Sequence, residues 1–158
     1  MQFLKGDFRG IGQSLRPPWA VDEAGFVELC TGCGDCIAIC PSTILVEARA
    51  GFPVVDFNKG ECEFCGQCEA VCTSGALRRS DISGASPWEL KAVIDDNCIT
   101  YQDIICRSCT EKCVSDAIQF QLKVGCVSPP QVEDTLCTGC GACVSGCPVS
   151  AISVVASA

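Results

Sequence analysis

Cys30-Thr31-Gly32-Cys33-Gly34-Asp35-Cys36-Ile37-Ala38-Ile39-Cys40-Pro41 sets four thiols at the spacing C-x2-C-x2-C-x3-C and closes on a proline. The spacing returns at Cys62, Cys65, Cys68 and Cys72, followed by Thr73, and again at Cys137, Cys140, Cys143 and Cys147, followed by Pro148. A further group, Cys98, Cys106, Cys109 and Cys113, reads C-x7-C-x2-C-x3-C, its first gap stretched by five residues. Four groups of four use 16 of the 17 cysteines and leave Cys126.

A cubane 4Fe–4S cluster takes four thiolates, one per iron. Two residues between ligands let a tight loop wrap three corners while backbone N–H groups point at the sulfides. In runs of this kind the fourth cysteine ligates the other cluster of a pair. That rule gives one cluster to Cys30, Cys33, Cys36 and Cys72, and its partner to Cys62, Cys65, Cys68 and Cys40. It gives a third to Cys98, Cys106, Cys109 and Cys147, and a fourth to Cys137, Cys140, Cys143 and Cys113. Four clusters are expected, or three if the irregular Cys98 group is no cluster site. Gly32, Gly34, Gly66, Gly139 and Gly141 lie between ligands, where the backbone must approach a cluster closely or take positive φ. Ordinary turns use glycine too.

Other uses of the thiols fit less well. Zinc ribbons separate their C-x2-C pairs by a long spacer, whereas here third and fourth ligands follow at once. A disulfide framework would leave one of the 17 thiols unpaired. Cys126 reads as a small buried apolar residue, with competition for the place of Cys98 as the alternative.

The groups are spaced as a duplicated pair. From Cys33 to Cys65 is 32 residues and from Cys106 to Cys140 is 34, while Cys33 to Cys106 is 73 and Cys65 to Cys140 is 75. The stretch Arg78 to Trp88, rich in Ser, Gly and charge, reads as the joint. The expected organisation is an N-terminal extension over 1–24, a dicluster ferredoxin-like unit over 25–78, a linker over 79–89 and a second such unit over 90–158. The runs Gly25–Leu29, Ile44–Glu47, Pro53–Phe57, Lys91–Asp95, Ala117–Leu122 and Ala151–Val155 are of strand length. The residues from the third to the fourth cysteine of each group fit one helical turn. The expected fold class is α+β, tandem dicluster units of short strands and short helices around iron–sulfur clusters.

Composition agrees. The chain has 158 residues, a formal net charge of −8 and no histidine. Removing Cys from its 48% hydrophobic content leaves a thin apolar core, so something besides side-chain packing must hold the fold. The acidity disfavours nucleic-acid binding, and the lack of histidine excludes His-based triads and His metal sites. Each oxidised cubane with four thiolates carries about −2, so a loaded chain stands near −16. No base, nucleophile or phosphate loop is left over once the thiols are assigned, so no catalytic activity is expected.

The first residues hold no continuous apolar run long enough for a secretory signal, and with so many thiols a reducing cytoplasm is the expected compartment. Thr135 to Ala158 lacks charge over 24 residues, long enough to cross a membrane. It also contains Gly139, Gly141, Gly146, Pro148 and four of the cysteines, so a span is not expected.

Beyond the cysteines, the chain quotes Arg16-Pro17-Pro18-Trp19, Gly51-Phe52-Pro53, Val55-Asp56-Phe57, Glu61-Cys62-x-Phe64-Cys65, Pro87-Trp88, Tyr101-Gln102 and Cys106-Arg107-x-Cys109. Together with Cys137-x-Gly139-Cys140-Gly141-Ala142-Cys143 and Cys147-Pro148-Val149-Ser150-Ala151-Ile152, it resembles the NapF-type ferredoxins encoded with bacterial periplasmic nitrate reductases. That family often has a paired arginine near its start, where only Arg9 stands here. The resemblance implies a cytoplasmic iron–sulfur protein that assists maturation of the molybdenum-containing catalytic subunit before export, its partner being the precursor of that subunit. The alternative is a general electron-transfer polyferredoxin feeding a reductase. A weaker one is a structural subunit whose clusters hold the fold. The acidic end around Glu133 and Asp134 could meet a basic partner or be a solvated loop. Arg78, Arg79 and Lys91 read as solubilising groups near the joint.

Overall fold

A computed structural model of the chain describes residues 15–79, 86–121 and 127–157. Cys126, Arg9, Leu122, most of the expected extension and the middle of the expected linker lie outside the described residues.

Asp22 starts the first element. Its carboxylate accepts from the Gly25 amide at 3.3 Å, and helix α1 runs over Glu23–Leu29. The expected strand at Gly25–Leu29 is therefore a helix. The side-chain cap at Asp22 and the acidic Glu23 in the first turn favour it locally, and the helix buries Phe26 completely while Val27 and Leu29 stay exposed. Arg16 fixes α1 from outside. Its guanidinium pairs with Glu23 at 2.6 Å and lies 4.6 Å from the centre of the Phe26 ring.

Four short helices follow within the ligand runs, α2 (Asp35–Ile39), α3 (Gln67–Ala70), α4 (Ser108–Lys112) and α5 (Ala142–Ser145). Each covers most of the segment between the third and fourth cysteine, as the one-turn reading expects. Helices so short have no stability of their own. Each is held by what its buried cysteine, Cys36, Cys68, Cys109 or Cys143, packs against.

The strands form two-stranded antiparallel ribbons. Strands β1 (Leu45–Glu47) and β2 (Pro53–Val55) pair with Leu45 opposite Val55. The turn between them is a 3-10 turn at Arg49–Gly51. Strand β3 (Leu90–Ile94) pairs with β6 (Ile152–Ala156), Ile94 opposite Ile152. Strand β4 (Ile118–Phe120) pairs with β5 (Pro130–Val132), Ile118 opposite Val132. Each half thus has an inner hairpin between its two ligand runs and an outer pairing that joins its beginning to its end. In the first half the outer pairing shrinks to the single bridge Ala20–Leu77. The strands match the expected runs, apart from Gly25–Leu29. Strand β5 and the 3-10 turn Ile99–Gln102 had no run to announce them. The first is three residues led by proline, and the second lies inside the stretched cysteine gap.

One buried cluster contains Phe26, Ile44, Leu45, Phe57 and Leu77 of the first half with Leu90 and Val154 of the second, so the two halves share a core. A smaller cluster gathers Ala92, Ile118 and Ile152 with Cys109 and Cys143. Among the described residues, no helix is long and apolar enough to cross a membrane.

Candidate metal centres

The ligand loops are shaped by left-handed backbone at fixed places. Gly34, Gly66 and Gly141 stand immediately before α2, α3 and α5 with φ of 81°, 78° and 82°. Gly32, Phe64 and Gly139, two residues earlier, are also left-handed. A third left-handed position follows each run, at Thr43, Gly75, Asp116 and Ser150, each three residues beyond a fourth cysteine. There the chain turns away: the Thr43, Asp116 and Ser150 amides donate to the carbonyls of Cys40, Cys113 and Cys147.

These turns gather the thiols into sets that mix the two runs of each half. One cavity is lined by Cys30, Cys33, Cys36 and Cys72, with Phe26, Val71 and Leu77 around them. A second is lined by Cys62, Cys65, Cys68 and Cys40, with Trp19 and Ile44. A third is lined by Cys98, Cys106, Cys109 and Cys147, with Ile99, Pro148 and Ile152. The remaining thiols also meet, since Cys143 feels the charge of Cys140, Cys137 and Cys113. These are the four groupings read from the sequence. They are called the Cys30, Cys62, Cys98 and Cys137 sites below.

The surroundings suit a multi-iron group. The first two cavities are each lined by four thiols with apolar side chains around them, one donor for each corner of a cubane. Donors also point at the sulfurs. The Phe64 amide donates to Cys62 Sγ at 3.4 Å and the Leu77 amide to Cys72 Sγ at 3.4 Å. The Ala92 amide donates to Cys137 Sγ at 3.5 Å and the Ala151 amide to Cys147 Sγ at 3.3 Å. Hydroxyls of Ser74, Thr100 and Ser115 lie against Cys72, Cys98 and Cys113. Such hydrogen bonds stabilise thiolate charge and tune cluster potential.

Burial works the other way on the free thiols. It pushes Cys36 and Cys68 up to about 11 and Cys143 to about 12, with neighbouring thiolates adding to the rise. Cys62 also reaches about 11 by burial, against the opposing Phe64 amide, and Cys109 is raised by burial too. Cys72 is the exception. Burial raises it, but the Ser74 hydroxyl and the amides of Leu77, Gly75 and Ala76 outweigh burial and hold it below the ordinary value. Cluster binding must therefore expel protons from the buried thiols.

Lys91 and Arg79 make structural contacts, contrary to their reading as solubilising, while Arg78 is exposed. Lys91 Nζ donates to the carbonyls of Asp134 and Cys137, both at 2.7 Å. Arg79 pairs with Glu69 at 3.3 Å and lies 4.6 Å from the Trp19 ring centre. Glu133 accepts from the Thr135 amide and hydroxyl, at 3.3 and 2.7 Å, and so shapes the turn before Cys137. Sequence reasoning missed the Lys91 contacts because they join residues more than 40 positions apart, which no local pattern encodes.

Comparison with known proteins places the chain among iron–sulfur proteins. Residues 17–77 match the 4Fe-4S dicluster domain family and residues 130–153 the 4Fe-4S binding domain family. The chain is 44% identical to the ferredoxin-type protein NapF of Haemophilus influenzae, over 97% of this chain and 91% of that one. It is 38% identical to the ferredoxin-type protein NapF of Escherichia coli K12, over 95% and 90%. The ferredoxin-type protein NapG of the same strain is 32% identical over 88% of this chain and 68% of its own length.

Proposed function

Because the chain belongs to the NapF family of ferredoxin-type iron–sulfur proteins, we propose that it carries four 4Fe–4S clusters, one at each site above. When bound, such a group accepts and returns single electrons. The observation that carries the reading is the lining of three cavities by four thiols each, three from one run and the fourth from its neighbour. The sixteen ligands are Cys30, Cys33, Cys36, Cys72, Cys62, Cys65, Cys68, Cys40, Cys98, Cys106, Cys109, Cys147, Cys137, Cys140, Cys143 and Cys113. The units are residues 25–78 and 90–158, joined by 79–89 and preceded by an extension over 1–24.

The protein carries electrons rather than catalysing a reaction. It works in the cytoplasm on the precursor of the periplasmic nitrate reductase catalytic subunit, during maturation of that subunit. The resemblance of the motifs, together with the NapF and NapG relatives, supports this role. Anaerobic purification with an iron and sulfide count tests the cofactor reading: about sixteen irons per chain are expected, and about twelve would remove the Cys98 site. Affinity capture of the tagged chain from cytosol should recover the reductase precursor. A reductase with its full cluster content in a strain lacking this protein would sink the maturation role.

A second reading, a general polyferredoxin feeding a reductase, is favoured by the side-by-side packing of the sites. It predicts rapid electron exchange with a reductase in stopped-flow mixing, with no stable complex with the precursor.

A further inference from the structure

We infer that the contact between Cys62 and Cys140, boxed by Phe57, Phe64 and Trp88, joins the two halves into one line of redox sites. The order is the Cys30, Cys62, Cys137 and then the Cys98 site. The inference rests on the ligand sets proposed above.

Within each half the neighbours are fixed by the exchanged fourth cysteines. Cys40 leaves the run of the Cys30 site for the Cys62 site, and Cys72 crosses in return. Cys36 and Cys68 share one buried cluster, Cys109 and Cys143 the other.

The junction between halves has no sequence signature. The Cys62 amide donates to the Cys140 carbonyl at 2.8 Å. A ligand of one site is thus hydrogen-bonded through backbone to a ligand of another, across the joint. Trp88 covers this contact. Its ring meets Phe64 edge-on at 5.5 Å and Phe57 at 5.8 Å, and its indole N–H donates to the Thr138 carbonyl at 3.0 Å. Phe64 lies between Cys62 and Cys65, and Thr138 between Cys137 and Cys140, so one side chain touches both ligand loops. The approach is close because Gly141 has no Cβ, which would run into the Phe57 ring. At Gly139 a Cβ would stand 2.5 Å from the Leu90 carbonyl. Of the three rings Phe57 is buried while Phe64 and Trp88 are half-buried, so the contact lies in partly apolar surroundings where charge interactions are stronger than in bulk water.

The step is a one-electron exchange. The Cys62 site is oxidised by one electron as the Cys137 site is reduced by one, or the reverse. No bond forms or breaks and no proton moves. A low-potential one-electron donor, dithionite in the test below, supplies the electrons. The ends of the line are then the Cys30 and Cys98 sites, on opposite sides of the joint, so donor and acceptor need not compete for one surface.

The test is electron paramagnetic resonance on the full-length, dithionite-reduced protein. A variant carrying Cys33→Ala, Cys36→Ala, Cys106→Ala and Cys109→Ala keeps only the inner sites, about eight irons. Its spectrum should be split by spin–spin interaction. A complementary variant carrying Cys62→Ala, Cys65→Ala, Cys140→Ala and Cys143→Ala keeps the outer sites and should show two independent signals. Independent signals from the inner pair at full iron content would overturn the line while leaving the four sites standing. The intact chain supplies a second measurement that needs no cluster removed. Its reduced spectrum should require coupling across the joint, and one that resolves into two separate pairs would overturn the line. An intact chain with far fewer than about sixteen irons would overturn the ligand sets first, and the line with them.

Discussion

The third ligand loop and the other three solve the same problem with different backbones. In the first, second and fourth, two left-handed residues shape the loop, the second always a glycine directly before the helix. In the third, the helix follows Arg107 at φ −131°. The stretched gap instead holds a 3-10 turn at Ile99–Gln102, ended by the left-handed Asp103. Beyond the helix the four runs agree again, each with a left-handed residue three past the fourth cysteine. The exit turn is common to all, because it redirects the chain after the fourth cysteine has crossed to the neighbouring site. The entry loop can be replaced if another turn brings the first cysteine back. The cost is exposure: Ile105, just before Cys106, is 79% exposed, where the first and fourth loops have Gly32 and Gly139 and the second the half-buried Phe64.

The strongest way to break this equivalence is to remove a fourth cysteine from each half. Cys72→Ala should empty the Cys30 site and Cys147→Ala the Cys98 site, with about four irons lost in each. Native mass spectrometry counts the irons, and alkylation mapping shows which thiols have been freed. If Cys147→Ala frees Cys137, Cys140 and Cys143 instead, the second half is wired differently from the first.

Alkaline titration of the ligand-free chain separates the thiols next. Cys36, Cys62 and Cys68 rise from 9.0 to about 11 in the fold. A raised thiol pKa stabilises the fold below the unfolded value, and that contribution is lost as the pH climbs through the folded one. Under conditions where circular dichroism shows the ligand-free chain still folded, it should lose stability between pH 9.0 and about 11, read as a falling denaturant midpoint; a ligand-free chain without a folded signal would show instead that the clusters hold the fold. Cys72, held low by Ser74 and three amides, should ionise first, and thiol-specific labelling should reach it before Cys36. Simultaneous labelling of the two would contradict the opposed environments.

Three glycines of near-identical conformation give a graded test. At Gly34 nothing lies near an added Cβ, at Gly66 it meets the Arg79 guanidinium, and at Gly141 it meets the buried Phe57 ring. Gly34→Ala should cost about 1–2 kcal/mol from left-handed strain alone. Gly66→Ala should cost little more, because Arg79 can swing away. Gly141→Ala should add about 1–3 kcal/mol of overpacking. Equal denaturant midpoints for the Gly34 and Gly141 variants would mean that the halves do not meet at Phe57.

The thiols that the fold brings together were legible as groups, because the cysteine spacing within each run is local and stereochemically strict. The first inner hairpin, β3, β4 and β6 were legible as short apolar runs, unlike β5. Helix α1 was not, because Gly25–Leu29 has the length of a strand and its helical signal lies just upstream, in Asp22 and Glu23. The junction of the halves was not legible at all. Trp88 fell in a stretch that reads as linker, and nothing in Cys62 or Cys140 distinguishes them from the other ligands until the fold sets them side by side.

Lys91 is the finest probe of how the fourth loop differs from the second. Its ammonium holds the carbonyls of Asp134 and Cys137, the latter belonging to the first ligand of the Cys137 site. In the second loop a cation also lies close, Arg79 against Gly66, but it is paired with Glu69. Hydrogen bonds from charged groups contribute about 1.5–3 kcal/mol. Water can replace the ammonium at this partly exposed edge, so Lys91→Met should cost about 1 kcal/mol in the loaded protein. Its electrostatic effect should be more selective. Losing a positive charge that pairs with no carboxylate among the described residues, beside one anionic site, disfavours adding an electron there, so one potential should fall while the others stay. Arg79→Met removes a charge that a carboxylate already balances, and should move its neighbour less. A redox titration followed by paramagnetic resonance reads both. If Arg79→Met shifts a potential more than Lys91→Met does, the ammonium anchors the loop without tuning its site.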